Sequence, residues 1–260
     1  MSAARLHAAL ARRVTQSMDV PHEALPVMAP LFAGIAALGT SPRRTAAWLR
    51  DAGIGPRDCV LDMGCGKGSP AVAVTRACGC RVIGVDAFAP FIDAAREHAA
   101  RARVTARCEF VCADVRTWKN ASRVTPRAGM MLSLFPATES IKFLADHVRP
   151  GGFVLTDDAV RAPGIGEDAE LPLSRDELCD SIISQGHRVL RTHVMSPGEV
   201  TRLDDRLYAT IRRNANAISR THPSLKPLLR EVLRRQRDAH ALLTGPIRPA
   251  LLLVQLSRSR

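Results

Sequence analysis

Glycine and aspartate residues at a regular spacing are the part of this sequence best suited to chemistry. Residues 60–68 read VLDMGCGKG and residues 82–86 read VIGVD, so one apolar segment runs into a glycine-rich turn and the next ends on an acid. Glycine accepts the positive φ of a tight turn and lets the backbone approach a ligand closely. An acid about 20 residues further on can accept hydrogen bonds from ribose hydroxyls. The pattern predicts half of a nucleotide-binding α/β unit, with Asp86 at the ribose.

The spacing of the glycines separates two kinds of ligand. Dinucleotide-binding turns follow G-x-G-x-x-G, whereas here the third glycine is Gly68 and position 69 is Ser. Asp62 lies two residues before the first glycine, where a carboxylate would repel a pyrophosphate but could hold loop amides or face a cation. A ligand with a sulfonium or ammonium group is therefore expected in place of a pyrophosphate.

At these residues the chain resembles the class I S-adenosylmethionine-dependent methyltransferases, whose first motif reads D-x-G-x-G-x-G after a strand. The resemblance implies that the three glycines approach the methionine part of S-adenosylmethionine, that Asp62 organises the loop and that Asp86 holds the ribose. It also implies that Asp114, after the apolar residues 109–113, meets the adenine amino group, although an acid there could instead cap a helix. The cofactor-binding residues implied in full are Asp62, Gly64, Cys65, Gly66, Gly68, Asp86, Ala87, Asp114, Val115 and Ser133.

The resemblance covers residues 55 to about 160 and implies a Rossmann-like α/β fold. The expected core is a seven-stranded mixed sheet with helices on both faces and an antiparallel seventh strand. Apolar segments predict the fourth to seventh strands at residues 130–135, 152–156, 188–194 and 249–256, with a helix over 137–148. Residues 149–152 read RPGG, a sequence that is frequent before the fifth strand in the family.

Two predicted helices, over residues 197–219 and 223–243, interrupt the chain between the last two strands. Ser196 and Glu199 have the spacing of a capping box for the first, and an insertion there commonly forms a lid over the substrate in the family. Further helices are predicted over residues 29–38 and 42–51. The expected division is 1–54 for N-terminal helices that cover the site, 55–195 for the core, 196–245 for the lid and 246–260 for the final strand.

Methyl transfer requires few side chains, because positioning donor and acceptor in a dry pocket provides much of the rate. The candidate catalytic residues are Asp157, predicted to follow the fifth strand with Asp158, and Tyr208 on the lid. Residues 155–164 resemble the magnesium-binding segment of catechol O-methyltransferases, but Ser133 or Phe135 stands where a third acid is expected. Solvated loop acids are therefore favoured over magnesium. The four histidines that could act as a base, without a choice among them, are His147, His187, His193 and His222.

The net charge and the cysteines are relevant to whether the chain binds nucleic acid or a metal ion. The formal net charge is +12, mostly from arginine, and many basic residues lie on the lid. This could mark an RNA substrate or only coding bias, and neither the Asn-Pro-Pro-Tyr nor the Cys motif of two nucleic-acid methyltransferase classes is present after the fourth strand. The seven cysteines lack the spacing of a metal site.

The favoured function is methyl transfer to a small molecule, with the lid arginines suited to an anionic acceptor. The alternatives are an RNA methyltransferase and a protein that binds S-adenosylmethionine without turnover. No signal peptide or membrane span is recognised, so a cytoplasmic protein is expected, with no membrane partner. The sequence does not indicate an oligomeric state.

Overall fold

The sheet has seven strands, as the sequence predicted. The computed structural model describes residues 11–258, apart from residues 13, 38, 121–123, 167 and 169. The strands are β1 (Cys59–Met63), β2 (Arg81–Asp86), β3 (Cys108–Cys112), β4 (Ala128–Met131), β5 (Phe153–Arg161), β6 (Arg188–Val194) and β7 (Ile247–Gln255). Their order is β3-β2-β1-β4-β5-β7-β6. The first five strands are parallel, and β7 pairs antiparallel with both β5 and β6.

The helices follow local signals that can be read in the sequence. From residue 22 onwards they are α1 (Met28–Leu31), α2 (Pro42–Asp51), α3 (Ser69–Cys78), α4 (Ala89–Arg101), α5 (Ala137–Ala145), α6 (Arg175–Ser184), α7 (Pro197–Thr221) and α8 (Lys226–Thr244), with 3-10 turns at His22–Val27, Thr105–Arg107 and Pro223–Leu225. Ser196 and Glu199 form the predicted capping box of α7. None of the helices in the described part of the chain has the length and apolar character needed to span a bilayer.

Apolar residues pack in three clusters. Successive residues of a strand face opposite sides of the sheet, so Val60 packs with α2, α3 and α4, whereas Leu61 packs with α5 and α6. The third cluster joins the N-terminal segment to α7 and α8, through residues such as Phe32, Ile211 and Val232. The N-terminal segment and the two inserted helices thus form one packed layer.

Three predicted boundaries are wrong. The helix predicted over residues 29–38 is only α1, because the chain turns at residues 32–34, and position 38 lies outside the described residues. Strand β4 ends at Met131 rather than at residue 135. The backbone φ of Ser133 is 56°, which lies outside the extended conformation of a strand. Strand β5 continues to Arg161 because it pairs with β7 along its whole length, so Asp157 and Asp158 lie within the strand and not after it. The division of the chain into four segments stays a prediction.

Gly68 offers a test of how tightly the start of α3 packs against α4 and β3. A Cβ at this position would lie 2.9 Å from both Ala95 Cβ and Phe110 Cζ, and the backbone φ is +71°. Left-handed backbone costs a residue other than glycine about 1–2 kcal/mol, and overpacking about 1–3 kcal/mol more. We expect Gly68→Ala to lower the free energy of unfolding, measured in urea, by about 2–5 kcal/mol.

The matched control is Gly186→Ala, at φ +82° with nothing within 4 Å of the added Cβ. This variant should lose only the backbone contribution of about 1–2 kcal/mol. Equal losses in the two variants would show that the contact with Ala95 and Phe110 does not matter.

Candidate functional site

A cavity of about 970 Å³ lies at the carboxyl ends of the parallel strands. Open α/β sheets bind their ligands at this edge. The loops after β1 to β4 and the strand β5 form its floor, while the N-terminal segment and the helices α7 and α8 form its walls. We call α7 and α8 the cap. Residues on the cap and residues of the glycine-rich loop therefore line one continuous space.

Asp86 fixes the shape of the glycine-rich loop. Its Oδ2 accepts a hydrogen bond from the Gly66 N–H at 2.9 Å, and its Oδ1 accepts one from the Phe88 N–H at 2.8 Å. Gly64 and Gly66 have φ of 75° and 52°, in the left-handed region that favours glycine. Burial raises the pKa of the Asp86 carboxyl above its ordinary value. Of the residues implied by the resemblance, those of this region that line the cavity are Gly64, Cys65, Gly66, Asp86 and Ala87.

Asp62 lies beneath the loop and outside the cavity lining. From the sequence, we expected that Asp62 could accept a hydrogen bond from an amide of the glycine-rich loop. The Gly66 N–H instead donates its hydrogen bond to Asp86. The Asp62 side chain is only 1% exposed, and its Oδ2 has no hydrogen-bond partner among the described residues. Burial, with a smaller contribution from the charge of Asp86, raises the pKa of Asp62 to about 7. The carboxyl is therefore destabilised in its ionised form.

Gly68 also lies outside the lining, contrary to the expectation that all three glycines approach a ligand. It is the N-cap residue of α3 and is buried against Ala95 and Phe110. Its requirement for glycine follows from helix packing and backbone conformation. Gly64 and Gly66 are the glycines of the motif that face the cavity.

Asp114 and Val115 line the cavity from the loop after β3. The Asp114 Oδ1 accepts a hydrogen bond from the Arg116 N–H at 3.1 Å, and residues 115–117 form a turn. Asp114 is therefore not the cap of a regular helix. The guanidinium of Arg116 lies 4.7 Å from the centre of the Phe135 ring, which faces the same cavity.

Asp157 and Asp158 line the cavity from within β5, and each holds a neighbouring loop. The Asp157 carboxylate accepts hydrogen bonds from the Ser133 N–H at 2.6 Å, the Ser133 hydroxyl at 3.1 Å and the Thr40 hydroxyl at 2.7 Å. Asp158 Oδ2 accepts one from the Ala137 N–H at the start of α5, at 2.8 Å. Ser133, which also lines the cavity, is thus held in its left-handed conformation by Asp157.

These contacts bear on the magnesium hypothesis. Within the described ranges, no group of three or more His, Cys, Asp or Glu side chains is arranged to hold a metal ion. Burial raises the pKa of the Asp157 carboxyl, and the groups that bind it, on Ser133 and Thr40, are neutral hydrogen-bond donors. The pair therefore does not fit a magnesium site, and Asp157 positions the loop after β4.

The cap contributes a group that the sequence did not single out. Tyr208, one of the candidate catalytic residues, lines the cavity, with its hydroxyl buried and without a hydrogen-bond partner among the described residues. His240 lines the cavity beside it, and its Nδ1 lies 2.8 Å from Asp204 Oδ2. None of the four histidines named from the sequence lines this cavity. Asp204 and Tyr208 are four residues apart on α7, a helical spacing that is visible in the sequence, but the alignment of α7 with α8 is not.

The N-terminal segment is fastened to both the loop and the cap. The Lys67 ammonium donates hydrogen bonds to the carbonyls of Phe32 and Ile35, and the Asn214 amide donates to those of Leu31 and Ala33. Burial lowers the pKa of the Lys67 ammonium. Lys67 also lies 5.2 Å from the centre of the Phe91 ring. The glycine-rich motif thus supplies the cation that holds one wall of the cavity.

Replacing Lys67 by Met should loosen this wall without unfolding the sheet. Hydrogen bonds that involve a charged group contribute about 1.5–3 kcal/mol each, so amide hydrogen exchange in residues 28–37 should speed up by about tenfold or more in Lys67→Met. Lys142→Met, on the exposed face of α5, is the matched control and should leave these rates unchanged. Unaltered exchange in both variants would mean that the two carbonyl contacts do not hold the segment.

Comparisons with known proteins identify a domain family that part of the chain matches and solved structures that have a similar fold. Residues 60–152 match a family model described as a methyltransferase domain. An S-adenosylmethionine-dependent methyltransferase from Thiobacillus denitrificans, solved with S-adenosyl-L-homocysteine, has a TM-score of 0.74 at 18% identity and covers 89% of this chain and 98% of that one. Its counterpart from Geobacter sulfurreducens, also solved with S-adenosyl-L-homocysteine, scores 0.71 at 19% identity and covers 94% and 97%. Coclaurine N-methyltransferase, bound to N-methylheliamine and S-adenosylhomocysteine, scores 0.60 at 16% identity and covers 81% and 69%.

A search of curated proteins finds no match. The sheet order and the cavity at its carboxyl edge define the class I methyltransferase fold. The match over residues 60–152 is to a methyltransferase domain, and the similar structures share the fold, in agreement with the resemblance drawn from the sequence.

Proposed function

We propose that this chain transfers a methyl group from S-adenosylmethionine to a small-molecule acceptor enclosed beneath the cap. The observation that carries the proposal is the single cavity, whose lining includes Gly64, Gly66 and Asp86 on one side and Tyr208 and His240 on the other. Its volume of about 970 Å³ is near the upper end of the range for small-molecule sites, about 300–1,000 Å³. The space suits a donor and a small acceptor together.

The residues around the loop fit the donor. Gly64 and Gly66 leave the backbone free of side chains at the cavity wall, since a Cβ on Gly64 would already lie 3.0 Å from Leu134. The oxygens of Asp86 accept backbone hydrogen bonds, among them those from Gly66 and Phe88, and a carboxylate has about four lone-pair directions, which leaves one for a ribose hydroxyl. Asp114 would accept from the adenine amino group, with the lining formed further by Cys65, Ala87, Val115 and Ser133.

When bound, S-adenosylmethionine supplies a methyl group on a positively charged sulfur. The chain's contribution is to hold donor and acceptor in line and to exclude water, which lowers the entropic part of the barrier. The walls formed by the N-terminal segment and the cap serve that purpose. The acidic side chains of the lining suit the charge of the sulfonium before transfer.

The charge of the lining bears on the acceptor. The sequence suggested an anionic acceptor because of the arginines on the cap. Among these arginines, Arg237 is the one that lines the cavity. Its guanidinium lies 5.2 Å from the Tyr208 ring centre. Arg234 and Arg235 pair with Glu231 instead. The cavity therefore favours a neutral or cationic acceptor over the anionic one.

A second function, methylation of RNA, is favoured by one observation. Arg212, Arg213, Arg220 and Arg230 are exposed on the cap and outside the cavity lining. A basic surface of this kind gives sequence-independent affinity for phosphates that falls steeply with salt. Salt dependence therefore distinguishes RNA from a small molecule as the substrate.

The test begins with calorimetric titration of the protein with S-adenosylmethionine and S-adenosylhomocysteine. Binding followed by transfer of labelled methyl from S-adenosylmethionine to a metabolite pool supports the proposal. Transfer to an RNA pool, with RNA affinity that falls from 50 to 200 mM salt, would favour the second function. Tight cofactor binding without transfer to either pool would mark a binding protein without turnover, and a folded sample that binds neither cofactor would refute the proposal.

A further inference from the structure

Two contacts join the helices of the cap across the cavity. Asp204 on α7 meets His240 on α8, with Oδ2 and Nδ1 2.8 Å apart. One turn further along α7, the Tyr208 ring lies 5.2 Å from the Arg237 guanidinium. All four residues line the cavity that also contains the glycine-rich loop. The cap therefore presents an ordered set of polar groups to the same space as the methyl donor.

The Asp204 contact decides which nitrogen of His240 is basic. A carboxylate accepts hydrogen bonds only, so the neutral imidazole must carry its proton on Nδ1. Its Nε2 is then the free base, and no hydrogen bond among the described residues engages that atom. A histidine oriented in this way by a carboxylate is suited to accept a proton from a reacting group.

The acids of the cavity contrast with the rest of the molecule. Although the chain has a formal net charge of +12, acidic side chains outnumber basic ones in the lining. The acidic ones are Asp19, Asp86, Asp114, Asp157, Asp158, Asp204 and Asp205, and the basic ones are Lys67, Arg116 and Arg237. Lys67 is committed to backbone carbonyls. Even without Asp86 and Asp157, whose pKa values are raised by burial, and Asp19, which lies 3.8 Å from Arg235, the remaining acids favour a cation in addition to the sulfonium.

Tyr208 adds an independent indication of a ligand at the cap. Its hydroxyl is buried and has no partner among the described residues. Leaving a buried polar group unsatisfied costs about 1–3 kcal/mol, and a ligand with a polar atom at that point would remove the penalty. The hydroxyl and the Asp204–His240 pair lie on the same helix pair, and all three residues line the cavity.

We propose that His240 is the general base of the reaction, that Asp204 is its positioning residue, and that the acceptor is an amine that enters as its ammonium ion. This inference rests on the proposed methyl transfer. His240 Nε2 takes a proton from the ammonium group, which frees the nitrogen lone pair. That pair forms the new N–C bond while the C–S bond breaks, its electrons remain on sulfur, and S-adenosylhomocysteine leaves. The proton on His240 then passes to water, so the products are a methylated ammonium ion and one released proton.

The protonation site of His240 can be measured without knowing the acceptor. Long-range ¹H–¹⁵N spectra of the protein loaded with S-adenosylhomocysteine distinguish a proton on Nδ1 from one on Nε2, and His240→Gln assigns the signals. We expect neutral His240 to carry its proton on Nδ1. Asp204→Asn, whose amide can donate to Nδ1, should move the proton to Nε2. A wild-type proton on Nε2 would overturn the role of His240 as base.

Turnover is tested with a panel of aryl-alkyl amines and the carboxylic acids and alcohols of matching shape, using S-adenosylmethionine labelled in its methyl group. We expect methylation of amines alone. A general base contributes about 10²–10⁴-fold, so His240→Gln should lower kcat at pH 7 by about 100-fold or more, with unchanged affinity for S-adenosylmethionine. His222→Gln, on the exposed end of the cap, is the matched control and should keep the wild-type rate.

The pH profile of kcat separates a catalytic from a structural role. A general base must be unprotonated to accept a proton, so the wild-type rate should fall at low pH, and this limb should be absent from the residual rate of His240→Gln. The other charged groups that face the cavity around it are Asp205 from α7, Arg237 from α8, Asp19 from the N-terminal segment, and Asp157 and Asp158 from β5. An acid limb that persists in His240→Gln would assign the titration to one of these and overturn the proposal.

The other possible outcomes distinguish a failure of the amine assignment from a failure of the proposed methyl transfer. Methylation of the carboxylic acids or alcohols and not the amines, or of no panel member by a protein that binds S-adenosylmethionine, overturns the amine assignment while the proposed methyl transfer stands. A folded protein that binds no S-adenosylmethionine refutes the proposed function itself. In that case the spectra still decide whether Asp204 holds His240 in the stated form.

Discussion

Replacing Asp86 by Ala is expected to weaken the binding of S-adenosylmethionine by about 100-fold or more. The carboxylate holds the Gly66 N–H and the Phe88 N–H, so its loss releases the glycine-rich loop at the cavity wall. It would also remove the acceptor for the ribose hydroxyls. Charge-assisted hydrogen bonds contribute about 1.5–3 kcal/mol each, and two of them correspond to at least a 100-fold change in Kd. Calorimetric titration of the variant measures this change.

Two further variants sharpen the result. Asp93→Ala removes an exposed acid that pairs with Arg96 on α4, and it should bind the cofactor with wild-type affinity. Asp86→Asn keeps the size of the side chain but replaces one accepting oxygen by a donor, so it should fall between wild type and Asp86→Ala. Wild-type affinity in Asp86→Ala would exclude Asp86 from the cofactor site.

The second large effect concerns stability and its dependence on pH. The pKa of Asp62 is raised to about 7 from an ordinary value of 3.8, mainly by burial. Between these values the folded protein keeps a proton that the unfolded chain releases, so the free energy of unfolding falls as pH rises from about 4 to 7. At about 1.4 kcal/mol for each unit of pKa difference, the loss reaches about 4 kcal/mol above pH 7.

Asp62→Asn removes this titration. We expect its free energy of unfolding in urea to be close to that of the wild type at pH 4.5 and to exceed it by up to about 4 kcal/mol at pH 8. The raised pKa of Asp157 affects both proteins alike and cancels in the difference, whereas that of Asp86 cancels only in part because the charges of Asp86 and Asp62 interact. The exposed control Asp93→Asn should show no such trend. A difference between Asp62→Asn and wild type that does not vary with pH would contradict the raised pKa.

The sequence was sufficient for the features that depend on local order. Strand β1 is buried along its whole length and is apolar except for Asp62, and the glycines after it have the positive φ that their spacing suggested. Ser196 and Glu199 predicted the start of α7 because a capping box is a contact between residues three apart. Asp86 was identified from its distance to the glycines along the chain.

Features that depend on pairing between distant segments could not be predicted. The extent of β5 is set by nine pairs with β7, which begins 86 residues after β5 ends. His240 reaches Asp204 across 36 residues because of the alignment of two helices that share no local signal. Asp62 was recognised as unusual, but its exclusion from the cavity and the lack of a partner for Oδ2 follow from burial in three dimensions.

The way the cap is attached has a consequence for changing the acceptor by protein engineering. The chain leaves the sheet after β6, passes through the cap and returns to the sheet at β7. The two ends of the cap meet there, because Val194 pairs with Ala250 and the Met195 N–H donates to the Pro249 carbonyl at 2.9 Å. Its two ends are thus joined like the base of a hairpin, so a transplanted cap could replace residues 197–244 without removing any residue of β6 or β7. Since the cap shares a hydrophobic cluster with Met28, Leu31 and Phe32, such a graft must carry the matching N-terminal segment with it. Acceptor choice in this chain is then a property of two exchangeable pieces on a constant donor-binding scaffold.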